Sequence, residues 1–383
     1  MPGPVKMHSM ARIPAAIERI SSLPAFLAVA ALALAGLGFH LSPWGDRASH
    51  AMLDAQFGIL RVLGPKESPD DILVVGLDDG AAVSPDVDPV GPVLRKLPDT
   101  LARIARGRPR AIALLAPLPR GSLEAAAPGL DDALATALSM AQAAAPLAIG
   151  ITVDARREVV PIHDGLLRGV DVRSLAFTLL PRDEDGVVRQ VVLALPTQQG
   201  KWPTTAGWLC EVLDGRCEPG LIDYALGPAY RYLPVRRLLD IGDDAALARL
   251  FRGRIIFVAP VMGPGDRVRQ PLSLAGWEPP TSEPAAVLAH AQTVRTLLHG
   301  TPIREAPLPA MLLVIAAAAL VALVAAPVAP AIGALAAGGG GALSLLALWH
   351  GWYAPPAAVL ATLLTAVVAS RLLGRPPRAS GSP

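Results

Sequence analysis

The chain has 383 residues, of which 52% are hydrophobic and only 17% charged, with Lys+Arg 34 against Asp+Glu 32. A net charge of +2 with no basic block argues against a nucleic-acid partner, and the apolar content excludes a disordered chain. Two cysteines are too few for a disulfide-built scaffold or for a tetrahedral thiolate zinc site.

Residues 1–22 carry Lys6, Arg12 and Arg19 ahead of an apolar stretch at 23–41, which is long enough for one bilayer crossing. Ala33, Leu34 and Ala35 before Gly36 resemble a signal-peptidase site, but the apolar run continues to Leu41, which favours an uncleaved anchor. On either reading the next segment is exported. Charge vanishes again at 308–370, which holds no Asp, Glu, Lys or Arg and is punctuated by Pro327 to Pro330 and by His350 to Pro356. Three further spans are expected at 308–326, 331–349 and 355–373, followed by a tail at 374–383. Basic residues flank both termini, so both ends are expected in the cytoplasm, with Trp44, Trp349, Trp352 and Tyr353 at the outer interface. The spans hold none of the ionisable groups that transport sites use. Gly338 to Gly341 read as a surface for close helix packing, which allows homo-oligomers.

Residues 42–307 form the expected exported domain. Helical spacing is read at 51–63, 90–105 and 131–144, and at 282–298 with Ser282 as the cap. Apolar runs at 72–77, 111–115, 147–153 and 255–258 read as buried strands. Asp185-Gly186, between the apolar runs 175–180 and 187–195, signals a hairpin. The expected fold class is an α/β exported domain, a sheet covered by helices, plus an α-helical transmembrane region of four spans. Cys210 and Cys217 lie in this domain. An oxidising compartment allows a short-loop disulfide, while a six-residue spacer within one helix would leave two thiols on nearly opposite faces.

The order of elements resembles the second type of CHASE domain, an extracellular sensory module with one N-terminal and three C-terminal membrane helices. The residues that carry the resemblance are Ile72 to Asp78, the stretch DEDGVVR from Asp183 to Arg189, GRIIFVAPVMGPGD from Gly253 to Asp266, and His290-Ala291-Gln292 before Gly300. The chain departs from the pattern at Asp88 to Pro92, where a Trp- and Pro-rich motif is usual, and at Ala259-Pro260, where a Gly is usual. The resemblance implies a cyclase or kinase domain after the last helix, whereas 374–383 is too short to fold as one, so a separate protein is expected to read the signal.

Candidate ligand-binding residues are Asp78 and Asp266, each after an apolar strand, where open α/β sheets bind ligands. Turn and cap roles suit the same residues. Arg189 suits an anion or a pairing with Asp183 or Asp185, and pairing is the commoner use. His290 suits a pH switch or a satisfied buried position. Neither a nucleophile elbow, an HExxH pair, a phosphate loop nor a dinucleotide fingerprint is present, so no catalytic residue, metal or cofactor is expected. The function expected is a membrane-anchored extracytoplasmic sensor of the bacterial inner membrane. Its partners would be the lipid bilayer, an extracytoplasmic ligand and a signalling or envelope protein. The alternatives are a structural subunit of an envelope complex or a permease component.

Overall fold

The structure is a computed structural model that describes residues 23–77, 91–154, 156, 158–198, 200–261, 267–278, 281, 283–325 and 330–373. The chain divides into two compact units, one formed by the sequence up to Gln56 together with that from Arg304 onward, the other by Phe57–Ile303.

The first unit is helical. Helix α1 (Leu23–His40) is apolar all round, and α2 (Pro43–Leu63) follows it after a 75° bend. The bend is capped by Ser42, whose hydroxyl donates to Phe39 O at 2.6 Å and accepts from the Gly45 amide at 3.1 Å. Three more apolar helices are α9 (Leu308–Ala325), α10 (Pro330–Trp349) and α11 (Pro356–Leu373). Three of the unit's helices, α2, α10 and α11, open on a proline, which fits the first helical position because its missing N–H has no partner to lose. Helix α1 packs against α9 and α11. Gln56 donates to Ser344 Oγ at 2.9 Å, joining α2 to α10.

Among the described residues no single helix is long and apolar enough to cross a membrane. The bent pair Leu27–His40 and Pro43–Leu63 passes only together, and Leu308–Val321, Gly338–Trp349 and Pro356–Ala366 are shorter apolar stretches. The glycines of α10 correct the packing expected of them. Among the described residues, a methyl group at Gly338, Gly339 or Gly341 would meet nothing within 4 Å, and at Gly340 Val359 at an ordinary 3.8 Å, so none of these residues brings a described helix into close contact.

The second unit is built on a six-stranded sheet. Its strands are β1 (Ile72–Gly76), β2 (Ala111–Leu114), β3 (Leu147–Ile151), β4 (Leu175–Phe177), β9 (Arg231–Pro234) and β10 (Ile255–Ala259). They lie in the order β4-β3-β2-β10-β1-β9, and every pairing is parallel. Parallel sheets are covered on both faces, which is why the central strands are unbroken apolar runs and fully buried. One face packs against α3 (Gly91–Arg106), α4 (Leu130–Ala144), α6 (Val235–Leu239) and α7 (Asp244–Phe251), through Leu73, Val75, Ile112, Leu114, Ile256 and Val258. The other face is covered by α5 (Thr205–Val212) and α8 (Ala286–His299).

Between β4 and β9 lie β5 (Gln190–Val191), paired with β8 (Gly220–Leu221), and a hairpin of β6 (Ala194–Thr197) with β7 (Gly200–Pro203). The hairpin expected at Asp185-Gly186 is therefore corrected. The turn exists, with the Gly186 amide donating to Asp183 O at 2.8 Å and that of Asp183 to Val187 O at 2.9 Å, but the chain on either side joins different sheets. Val188 donates instead to Arg269 O at 2.9 Å, and the carboxylates of the turn fold back onto Arg189. Helix α8 also starts later than expected, at Ala286. Pro284 disfavours helix in the residue before it, and Ala285 bridges to Arg267. Ser282 lies outside the described residues.

Candidate functional site

Arg189 is 1% exposed and saturated by the turn that precedes it. Its Nη1 donates to Asp183 Oδ2 at 3.0 Å and to Asp185 Oδ1 at 2.9 Å, and its Nη2 donates to Asp185 Oδ2 at 2.8 Å. A guanidinium already held by two carboxylates is a structural lock and has little left to offer an anion. Its carbonyl accepts from the Ile222 amide at 2.7 Å, which ties the turn to the segment that leads into residues 223–228.

His290 is buried on α8, with Nε2 3.1 Å from Thr178 O. Burial pushes its pKa down to about 4, against a smaller upward pull from the Thr178 carbonyl. The ring is neutral between pH 5 and 8 and donates to Thr178, so it reports no pH change in that range.

Asp78 and Asp266 lie outside the described residues, but the strands that lead to them are adjacent. Gly76 pairs with Ala259, and the Leu77 amide donates to Ala259 O at 3.0 Å. From β1 the chain goes on to α3 on one face of the sheet, and from β10 to α8 on the other. The ends of β1 and β10 are therefore the topological switch point, where sheets of this kind open a crevice for ligands. On β9, beside β1, Tyr232 stacks on Trp277 with ring centroids 4.5 Å apart. Tyr232 also fills the space over Gly76, where a methyl group would come within 2.3 Å of its ring.

Sequence reasoning missed a second polar centre, in which two arginines from distant parts of the chain converge on residues 223–228. Arg61 of α2 donates from Nε to Tyr224 O at 2.8 Å, from Nη1 to Gly227 O at 2.7 Å and from Nη2 to Leu226 O at 3.2 Å. Arg295 of α8, fully buried, donates from Nη1 to Pro228 O at 2.7 Å and to Leu226 O at 3.3 Å, and its guanidinium lies 3.9 Å from the Tyr230 ring centroid. Gln292 donates to Asp223 O and, at 3.0 Å, to Leu226 O. Burial, and then the nearby Arg295, push the Arg61 pKa down to about 10; burial also lowers that of Arg295. The available signal was the polar row Gln292, Arg295 and Thr296 at i, i+3 and i+4 on α8, whose residues Val287 to Leu297 are all buried.

A family model for the CHASE2 domain matches residues 25–326, from the start of α1 to the end of α9. The chain belongs to the CHASE2 domain family. CHASE2 is a sensory domain, and the parallel sheet covered by helices is the fold in which this chain carries it. Among curated proteins and solved structures nothing matches.

This CHASE2 domain contains one disulfide among its described residues, Cys210–Cys217, with Cα atoms 5.7 Å apart. Helix α5 ends at Val212, so the two cysteines do not share a helix. Asp214, at φ 54°, and Gly215 turn the chain back. The bridge holds this turn on the end of α8, where Arg216 donates through its amide to Leu297 O at 2.8 Å. Replacing both cysteines by Ala is expected to lower unfolding free energy by about 2–3 kcal/mol, the value for a short closed loop. Reductant should bring wild type to the same midpoint in denaturant melts; unchanged melts in both cases would show that the bridge adds nothing.

Proposed function

We propose that this CHASE2 chain is a membrane-anchored extracytoplasmic sensor of the bacterial inner membrane that passes its stimulus to a separate partner protein. The observation that carries the reading is the CHASE2 match, a sensory family whose matched stretch includes the apolar helices α1 and α9 on either side of the α/β unit. In this reading α1, α9, α10 and α11 are the four spans, both ends of the chain are cytoplasmic, and the unit Phe57–Ile303 faces the periplasm. The disulfide supports an oxidising compartment. The stimulus is a small ligand in the crevice at the ends of β1 and β10, with Asp78 and Asp266, which follow those strands in sequence, as its candidate contacts.

Reporter fusions test the topology. An enzyme active only outside the cytoplasm is expected to work when fused after Asp46 or after Gly351 and to fail after Pro383. Activity after Pro383 would remove the arrangement of four spans.

A further inference from the structure

The polypeptide enters the α/β unit on α2 and leaves it after α8, and one loop is gripped by both helices. Seven side-chain bonds reach the carbonyls of residues 223–228, from Arg61 on one side and from Gln292 and Arg295 on the other. Leu226 O accepts from all three of these side chains, so the two helices share an acceptor. The segment just after α2 adds to the grip, because Lys66 pairs with Asp223 at 2.6 Å, its amide donates to Ala225 O at 2.9 Å and its carbonyl accepts from the Gly227 amide at 2.8 Å. On the α8 side, Thr296 Oγ1 accepts from the Asp223 amide at 3.1 Å. The fit leaves no slack: Gly227 has φ 75°, and a methyl group there would lie 2.8 Å from Arg295 Cδ and Nε.

We infer that residues 223–228 form a clasp that makes the positions of α2 and α8 within this unit interdependent, so that a shift of one helix is passed to the other through the loop's carbonyls. Hydrogen bonds from charged groups are the strong ones, and buried carbonyls that lose them find no water in exchange. Loosening Arg61 therefore takes one of three donors from Leu226 O and the Arg61 donor from Tyr224 O and Gly227 O, which loosens the loop that also holds Arg295 and Gln292. Such a device has the two-sided coupling that a sensor needs between the chain entering and leaving it. The inference rests on the sensor reading for its use in signalling, but the coupling itself is a property of the fold.

Hydrogen exchange by the full-length protein in detergent micelles, without any stimulus, tests it. Arg61→Lys keeps the charge and removes the fork; Gly227→Ala keeps every donor and disturbs the loop from within. Both are expected to speed exchange of the α8 amides about tenfold, the effect of losing roughly one charged hydrogen bond, while β2 and β3 stay protected. Arg106→Ala, which removes the exposed pair with Asp244 on the opposite face, should leave α8 unchanged. Acceleration confined to residues 223–228, with α8 as in wild type, overturns the inference, and so does equal acceleration of β2 and β3. Should Arg61→Lys fail to fold, Gly227→Ala decides alone. Failure here would leave the topology reporters, and with them the sensor reading, untouched.

Discussion

Arg189→Met is expected to lower the unfolding free energy of the α/β unit by about 3 kcal/mol, the lower end of what breaking a buried ion pair costs. The arginine is fully buried and Asp183 is 6% exposed in its side chain, so removing the guanidinium takes the cationic partner from a carboxylate held away from water. Asp185 is about one-third exposed and can rehydrate, which is why the lower end applies. The further loss is geometric, since Gln190 also reaches Asp183 and Arg269 donates to the Asp185 carbonyl, and both bonds depend on a turn that Arg189 holds shut. Native-state hydrogen exchange of β3 and β4 in the full-length protein measures the change. Adding Asp183→Asn and Asp185→Asn to the variant is expected to restore most of the stability, because an unpaired buried charge costs more than the intact cluster contributes. A single variant within 1 kcal/mol of wild type, on a scale where buried pairs cost about 3–5, would show that water reaches both carboxylates.

The strands that periodicity located are the ones buried on both faces. Continuous runs such as 72–77 and 255–258 are what a central parallel strand, buried on both faces, requires. Their order in the sheet was not readable, because β10 inserts between β1 and β2 after a long excursion of chain, and no local pattern encodes which strand it joins. Strand β9 escaped notice because Arg231-Tyr232-Leu233-Pro234 is a short edge strand ending in proline, where alternation is too brief to register. The hairpin of β6 and β7 escaped for a related reason, since the sequence Gln198-Gln199 between them is not a favoured turn pair. At the level of sites, Arg189 and its two aspartates were legible because they sit four and six residues apart. The grip on residues 223–228 was not. Arg61 bonds carbonyls more than 160 residues away, and backbone acceptors carry no side-chain signature. Asp78 and Asp266 fall outside the described residues, so only the adjacency of their strands is visible.

The stability of the unit is expected to fall by about 3 kcal/mol between pH 7 and pH 4 on account of His290 alone. In the unfolded chain this imidazole takes its proton near pH 6.5, whereas in the fold burial holds it off until about pH 4. Across that window the unfolded chain binds more protons, so acid favours unfolding. The contribution is fully present above pH 6.5 and is lost as pH falls toward 4, at about 1.4 kcal/mol per pH step. Comparison with a variant at this position removes the contribution of every other titrating group. His290→Gln is the suitable one, because its amide can still donate to Thr178 O but takes no proton. Denaturant melts of both proteins at half-unit steps from pH 7 to pH 4 should diverge progressively below pH 6.5, with wild type the steeper. Parallel curves would mean that His290 takes up its proton inside the fold at the ordinary pH, and the ring would again be open to a role in sensing acid. Divergence keeps it as a neutral donor that pins α8 to the chain just after β4.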